Sequence, residues 1–333
     1  MTPRHHALAA GALAGALLLT GCGAQESLVG LHPAPAEKTA SAPLDVEGAT
    51  AVAARLLAQA EAATHEKDAA AAKKARAAVL MGDALTLANA EAARAPAAAA
   101  PAQLATEPEP TVVAQSAGRA WPRAILAATL DEESNTQFLH VMLSQKPEEP
   151  FRIAASVPMF GGATLPALGD SSAGAPLLDA NAKDGLALAP KDAVAAYAAA
   201  LAYPKAKASD AVSVDDPFAT RLKATAAAQT KALGKLGGLT QAHAPLLEQA
   251  VTFRLADGGA VMFGLMRRTD TIGVKKTAKE LVLPAEYAKV IGKKKVTKSL
   301  ALQNLEPFVL VVPRSGAAKV IGASELLVSG KGR

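Results

Sequence analysis

The chain is poor in the residues that mark most chemistries. Its 333 residues include one cysteine, one tryptophan, three tyrosines and seven phenylalanines. One cysteine excludes a disulfide within the chain, so packing alone must hold the fold. Aromatics make up 3%, which leaves few ring faces for stacking bases, and no nucleic-acid partner is expected. Beyond the first thirty residues the histidines are His32, His65, His140 and His243, each isolated, whereas zinc sites draw on His and Cys at short spacing. No Gly-x-Ser-x-Gly elbow and no glycine-rich phosphate loop occurs, so neither the serine-hydrolase nor the nucleotide-binding motif is present. The paired carboxylates read as local structure: Asp131-Glu132-Glu133 as a solvated turn and Asp215-Asp216 as a helix cap. No catalytic residue, metal or cofactor is expected, and the chain does not read as an enzyme.

Residues 1–21 carry the sharpest signal present. Arg4 precedes an apolar run, Ala7 to Leu19, too short to span about 30 Å of hydrocarbon. It ends in Leu19-Thr20-Gly21-Cys22. This tetrad resembles the lipobox of bacterial lipoproteins. The resemblance implies a signal peptide over 1–21, cleavage between Gly21 and Cys22, and a diacylglycerol thioether with palmitate-type chains on Cys22. It places the protein at the extracytoplasmic face of the cell membrane, held by more than one acyl chain, as stable anchoring requires. It also removes Cys22 as a nucleophile. The processed chain keeps about 310 residues and, without Arg4, 34 basic against 30 acidic side chains.

Residues 22–46 hold Pro33, Pro35 and Pro43 among small and polar residues and read as a disordered tether. Two α+β stretches are expected to follow, 47–170 and 188–330. Val52, Leu56, Leu57 and Ala60 recur at helical spacing, with further helices over 69–79 and 84–94 and a loop over 95–110. Strands are expected over 121–130, 138–144 and 151–155, joined by polar turns. Residues 159–186 read as an irregular crossing, which Leu165-Pro166 and Leu177-Leu178 pin to the surface. The second stretch begins with helices over 193–201 and 219–236, the latter capped by Asp216, started by Pro217 and stopped by Gly237-Gly238. Strands are expected over 250–255 and 260–266 around Asp257-Gly258, the best hairpin signal in the chain, then over 299–304, 307–313 and 318–322. His65 reads as a solvated helix end and His140 as a satisfied core or edge histidine. Trp121 reads as packing a helix onto a sheet.

Helices precede strands twice, an α+β order rather than alternating βαβ. Two similar halves, each with helices on a curved antiparallel sheet, satisfy it. That shape is similar to the NTF2-like or cystatin-like cone. The layout also resembles uncharacterised lipoproteins of actinobacteria, on the lipobox at Cys22, Trp121-Pro122-Arg123 opening a strand, Ala256-Asp257-Gly258-Gly259-Ala260 in a hairpin, and Val311-Val312-Pro313 before the last strand. The resemblance implies a tandem fold and carries no activity.

One charge anomaly stands out. Between Arg267 and Lys298, ten basic residues face Asp270, Glu280 and Glu286, an excess of 10 − 3 = +7. The bland reading is a solvated, flexible excursion between strands. The functional reading is a surface for anionic lipid or wall polymer carried by Arg267, Arg268, Lys275, Lys276, Lys293, Lys294 and Lys295. The expected function is a non-enzymatic envelope lipoprotein that binds such a surface or an envelope protein. The alternative is a carrier of a lipid or small hydrophobic ligand, in a pocket lined by Leu139, Val141, Leu143, Val261, Phe263, Val309 and Val311; these residues equally suit a packed core. Cys22→Ser is expected to abolish incorporation of labelled palmitate and to release the protein from membranes, read by metabolic labelling and fractionation.

Overall fold

The computed structural model describes residues 41–94 and 109–333. Gly21, Cys22, the expected signal peptide and most of the expected tether lie outside the described residues.

Three helices come first: α1 (Val46–His65), α2 (Ala69–Val79) and α3 (Gly82–Arg94). Asp45 caps α1 by accepting from the Gly48 amide at 2.7 Å, and Asp68 caps α2 by accepting from Ala71 at 2.7 Å. Each satisfies an amide that the first helical turn leaves without a partner. The buried face of α1 is Ala49, Ala53, Leu56 and Ala63, with the expected Val52, Leu57 and Ala60 on its flanks.

The smaller sheet is β1 (Thr111–Gln115), β2 (Arg123–Asp131), β3 (Thr136–Ser144) and β4 (Arg152–Pro158), antiparallel in that order. One face, with Ile125, Ala127, Met142 and Ile153, packs on α1–α3. The other presents Ala124, Leu126, Leu139, Val141 and Val157 to the second sheet. Both faces are covered, so β2 is apolar without interruption from Ala124 to Ala128, where a one-sided strand would alternate.

The crossing contributes β5 (Leu177–Leu178), and then come α4 (Pro190–Leu201) and α5 (Pro217–Leu233). Asp216 caps α5 as expected, accepting from Ala219 at 2.8 Å. The helix ends three residues before the expected glycine pair: Gly234, at φ +48°, is its C-cap, and Gly237 already opens a strand. The larger sheet is built on β6 (Gly237–Arg254), β7 (Ala260–Val274) and β10 (Ser299–Val312). β5 lies on the far side of β6, while β11 (Lys319–Ala323) and β12 (Leu326–Gly332) share the outer edge of β10. Asp257-Gly258 turns the β6–β7 hairpin, with Gly258 at φ +86°. Between β7 and β10 sit β8 (Leu281–Val282), α6 (Ala285–Ile291) and β9 (Lys295–Val296), with β8 and β9 paired as a ribbon.

The two sheets meet face to face. Val251, Phe253, Val261, Phe263, Val309, Val311 and Ile321 of the larger sheet interlock with the inner residues of the smaller one. Phe253 meets Phe263 edge to face, centroids 6.4 Å apart. Helices α4 and α5 cover the outer face of the larger sheet through Tyr197, Phe218 and Leu222 against Met262, Met266, Phe308 and Leu310. The order is helices, sheet, sheet, helices. All seven residues named as liners of a carrier pocket belong to the apolar cluster between the sheets, and Leu143 also lines a cleft at its edge.

The fold is α+β with antiparallel sheets, and the halves share the order helices then strands. Beyond that they differ. The smaller sheet's strands have 5 to 9 residues, while β6, β7 and β10 have 18, 15 and 14. At about 3.3 Å per residue, the long strands run well past the smaller sheet. Their overhang packs on one face only, through Leu239, Ile272, Leu300 and Leu302, and there burial alternates residue by residue, whereas Ala260 to Met266 is buried throughout.

Two stretches expected as separate strands, 299–304 and 307–313, are the single β10. Pro307 has no amide to give a neighbour, and it falls where β10 changes partner: β12 pairs up to Leu305 and β11 from Phe308. Strands β1 and β12 and the first two-thirds of β6 were not expected. Phe263→Ala is expected to cost about 3–5 kcal/mol, read as a fall in urea midpoint.

Candidate functional site

Three features of the larger sheet come from chemistry rather than apolar packing. The first is a buried charged belt across its helix-covered face. His243 on β6, Arg268 and Asp270 on β7, and Asn304 and Glu306 on β10 sit at the same parity as the apolar residues around them. Arg268 is buried, with contacts of 3.0 Å to Asp270, 3.0 Å to Glu306 and 2.6 Å to Glu325. Glu306 also accepts from His243 Nδ1 at 2.8 Å, and both side chains have 0% exposure. Asn304 donates to Asp270 at 3.1 Å, and Arg221 of α5 reaches Glu325 at 3.4 Å. Nearby, Tyr197 of α4 donates to Asp216 at 2.9 Å.

Burial opposes the Arg268 charge, but the carboxylates of Asp270, Glu306 and Glu325 outweigh it and hold the guanidinium charged. Burial pushes the Asp270 carboxyl up, with Arg268 and a hydrogen bond from Gln241 pulling the other way. His243 Nε2 has no hydrogen-bond partner among the described residues, yet the ring has no surface for a substrate to reach. Such a network fixes register between strands, since a buried charge tolerates few alternative partners. Arg268, expected in the anionic-surface set, is therefore inside the protein with its charge spent on three carboxylates.

The second feature is the basic excursion. It carries secondary structure and its own apolar contacts. Leu281, Leu283, Tyr287, Ala288, Ile291 and Val296 anchor the β8–α6–β9 unit on the overhang. Around this anchor Lys275, Lys276, Lys293, Lys294 and Lys295 are exposed, and Arg267 is exposed on β7. Lys295 pairs with Glu280 at 2.6 Å; Lys275, Lys289 and Lys293 donate to the carbonyls of Gly234, Arg94 and Gly332. A groove of about 610 Å³ is lined by Val282, Leu283, Ala285, Ala288, Lys289, Gly292, Lys293 and Lys294. Val282 is 65% exposed at its lip, and Leu236, whose carbonyl accepts from the Lys275 amide at 2.9 Å, is 47% exposed.

The third feature is a bulge. β6 places four residues, 247–250, against the single Gly264 of β7. A Cβ on Gly264 would stand 2.8 Å from Phe308 Cζ, so glycine is required there. The bulge opens a cleft of about 430 Å³ lined by Pro122, Leu143, Gln145, Lys146, Leu177, Leu178, Glu248, Gln249, Ala250, Val251 and Thr252. Beside it, Asp83 in the first turn of α3 is pushed up to about 6 by burial and by the charge of Glu248.

The other sequence candidates are structural. His140 is buried, bonded to Thr129 at 2.8 Å and Ser156 at 3.0 Å, and burial lowers it to about 4. His65 pairs with Glu61 at 2.7 Å, one helical turn away. Asp131 closes its turn by accepting from Ser134 at 2.6 Å and Glu133 at 3.1 Å. Trp121, expected under a helix, instead lies beneath the Arg123 guanidinium at 3.8 Å and donates to Ser144 at 3.2 Å. Among the described residues no group of three His, Cys, Asp or Glu could hold a metal ion, and no helix is long and apolar enough to cross a membrane.

The architecture thus defines an α+β body with antiparallel sheets of four and six strands. Residues 49–332 match the family described as domain of unknown function (DUF8094), and the chain belongs to that family. No curated protein and no solved structure matches it. Sequence reasoning missed the belt, although Arg268, Asp270 and Glu306 fall at the alternate positions that are apolar elsewhere on the same strands. Removing one member strands the others: Glu306→Ala is expected to cost about 3–5 kcal/mol, measured by denaturant unfolding.

Proposed function

We propose that the protein is a non-enzymatic envelope lipoprotein, anchored through Cys22 at the extracytoplasmic face of the membrane, whose body docks on anionic lipid through the β8–α6–β9 excursion. The observation that carries this reading is the company the lysines keep. Among the described residues, two of the four large apolar side chains that stand exposed, Leu236 and Val282, lie in or beside this basic surface. Apolar groups ringed by lysine suit the boundary between headgroups and acyl chains, and each lysine near a charged bilayer adds about 1 kcal/mol. The attraction fades within about 8 Å at physiological salt, so docking depends on the anchor holding the body close.

The resemblance of residues 19–22 to a lipobox supports the anchor. The tandem, cone-like reading of the halves has the shared order of helices and strands in its favour. The full chain with Cys22→Ser, which separates docking from acylation, is expected to sediment with phosphatidylglycerol vesicles and not with phosphatidylcholine vesicles. Lys293→Glu with Lys294→Glu is expected to weaken partitioning at least about tenfold, and half-molar salt to do the same. Equal binding to both vesicles, or indifference to the charge reversal, overturns the docking surface; retention by anionic wall polymer but not by lipid assigns the surface to that polymer.

A further inference from the structure

The groove of the β8–α6–β9 unit is deeper than contact with a flat surface requires. Val282 stands at its lip, 65% exposed, while Leu283, the next residue, is 8% exposed and lines the same groove. An array of headgroups reaches the lip and not the floor. Only a chain that leaves the array can lie along Leu283 and Ala288. The volume of about 610 Å³ falls within the range of sites for single small molecules.

The charges at this groove are placed and unspent. Lys289, Lys293 and Lys294 line it. None of them pairs with a carboxylate among the described residues, whereas the neighbouring Lys295 is paired with Glu280 at 2.6 Å. Glu286, the one acid on α6, is not part of the lining. Lys289 Nζ donates to the Arg94 carbonyl at 3.0 Å, and Lys293 Nζ to the Gly332 carbonyl at 3.1 Å. An ammonium has three donors, so each keeps two, at positions set before a ligand arrives. Lys294 is tied to the floor through its backbone, its carbonyl accepting from the Leu283 amide at 2.9 Å. Cations without anions, beside an apolar floor, fit an anion carried on an apolar chain.

We propose that the groove holds one molecule of anionic phospholipid, drawn partly out of the bilayer, with its phosphate against Lys289, Lys293 and Lys294 and an acyl chain along Leu283, Ala285 and Ala288. The proposal rests on the docking reading above and names the ligand of that same surface. Charge-assisted hydrogen bonds hold the head, and the chain contributes in proportion to the apolar area it covers. Head and chain are both needed, so either one alone binds more weakly.

The test titrates the full chain bearing Cys22→Ser with dodecyl phosphate, kept below micelle formation, by calorimetry and native mass spectrometry. One molecule per chain is expected, bound at least about tenfold tighter than inorganic phosphate or dodecanol. Lys293→Gln with Lys294→Gln is expected to weaken it at least about tenfold, as charge-assisted hydrogen bonds are lost. Ala285→Phe, at an exposed position of the lining, is expected to fill the groove and remove dodecyl phosphate binding. That variant keeps every lysine, so it should still sediment with phosphatidylglycerol vesicles, which also shows that it is folded. Sedimentation of the parent chain without binding of monomeric dodecyl phosphate overturns the single-lipid site and leaves the docking surface standing. Binding of the monomer without sedimentation supports the site and overturns the docking surface. Inorganic phosphate or dodecanol binding as tightly as dodecyl phosphate, or unchanged affinity in Ala285→Phe, overturns the proposal.

Discussion

The packing of one sheet on the other governs the rest of this structure. Phe253, Phe263, Val261 and Val309 on one side, and Leu126, Leu139 and Val141 on the other, exclude water from the faces that would otherwise be open. Once those faces are joined, the helices have only the outer faces left to cover, and they do so on both sides. The residues expected to line a concave pocket are each other's neighbours in the apolar cluster between the sheets.

The mismatch in strand length follows from the same contact. The smaller sheet covers only the part of the larger one around residues 251–263 and 309–311. Past that point, β6, β7 and β10 need other partners, and α5 with the β8–α6–β9 unit supplies them. The charged belt lies between the apolar cluster under α4 and α5 and the cluster of the overhang. Apolar contacts slide easily by one residue pair, whereas Arg268 with three carboxylates within 3.0 Å has one satisfactory register. The belt thus aligns three long strands where the sandwich no longer does.

Surface chemistry is placed by two departures from regular pairing. The four-residue bulge opposite Gly264 directs Glu248 and Gln249 out of the ladder and opens the cleft. The excursion between β7 and β10 carries lysines on an apolar base packed against the overhang. Bulges and long connections commonly carry function because a rigid sheet positions them without having to change itself.

Much of the local structure was legible in the sequence. Asp216 marks a helix start by cap chemistry that acts within three residues. Asp257-Gly258 marks a hairpin, and the apolar spacing of 46–94 marks three helices. These cues are local, so the sequence carries them without knowledge of the fold. Tertiary structure decided the rest. Which strands pair at an edge, as β1 and β12 do, depends on partners far along the chain. Arg268 looked like one cation of a basic run, and only its burial against Asp270, Glu306 and Glu325 makes it interior. Nor could spacing reveal that 281–296 is anchored, because its apolar residues find their contacts on α5, β6 and β10. Cap and turn chemistry is settled by immediate neighbours; burial, charge pairing and clefts are settled by whatever the fold brings alongside.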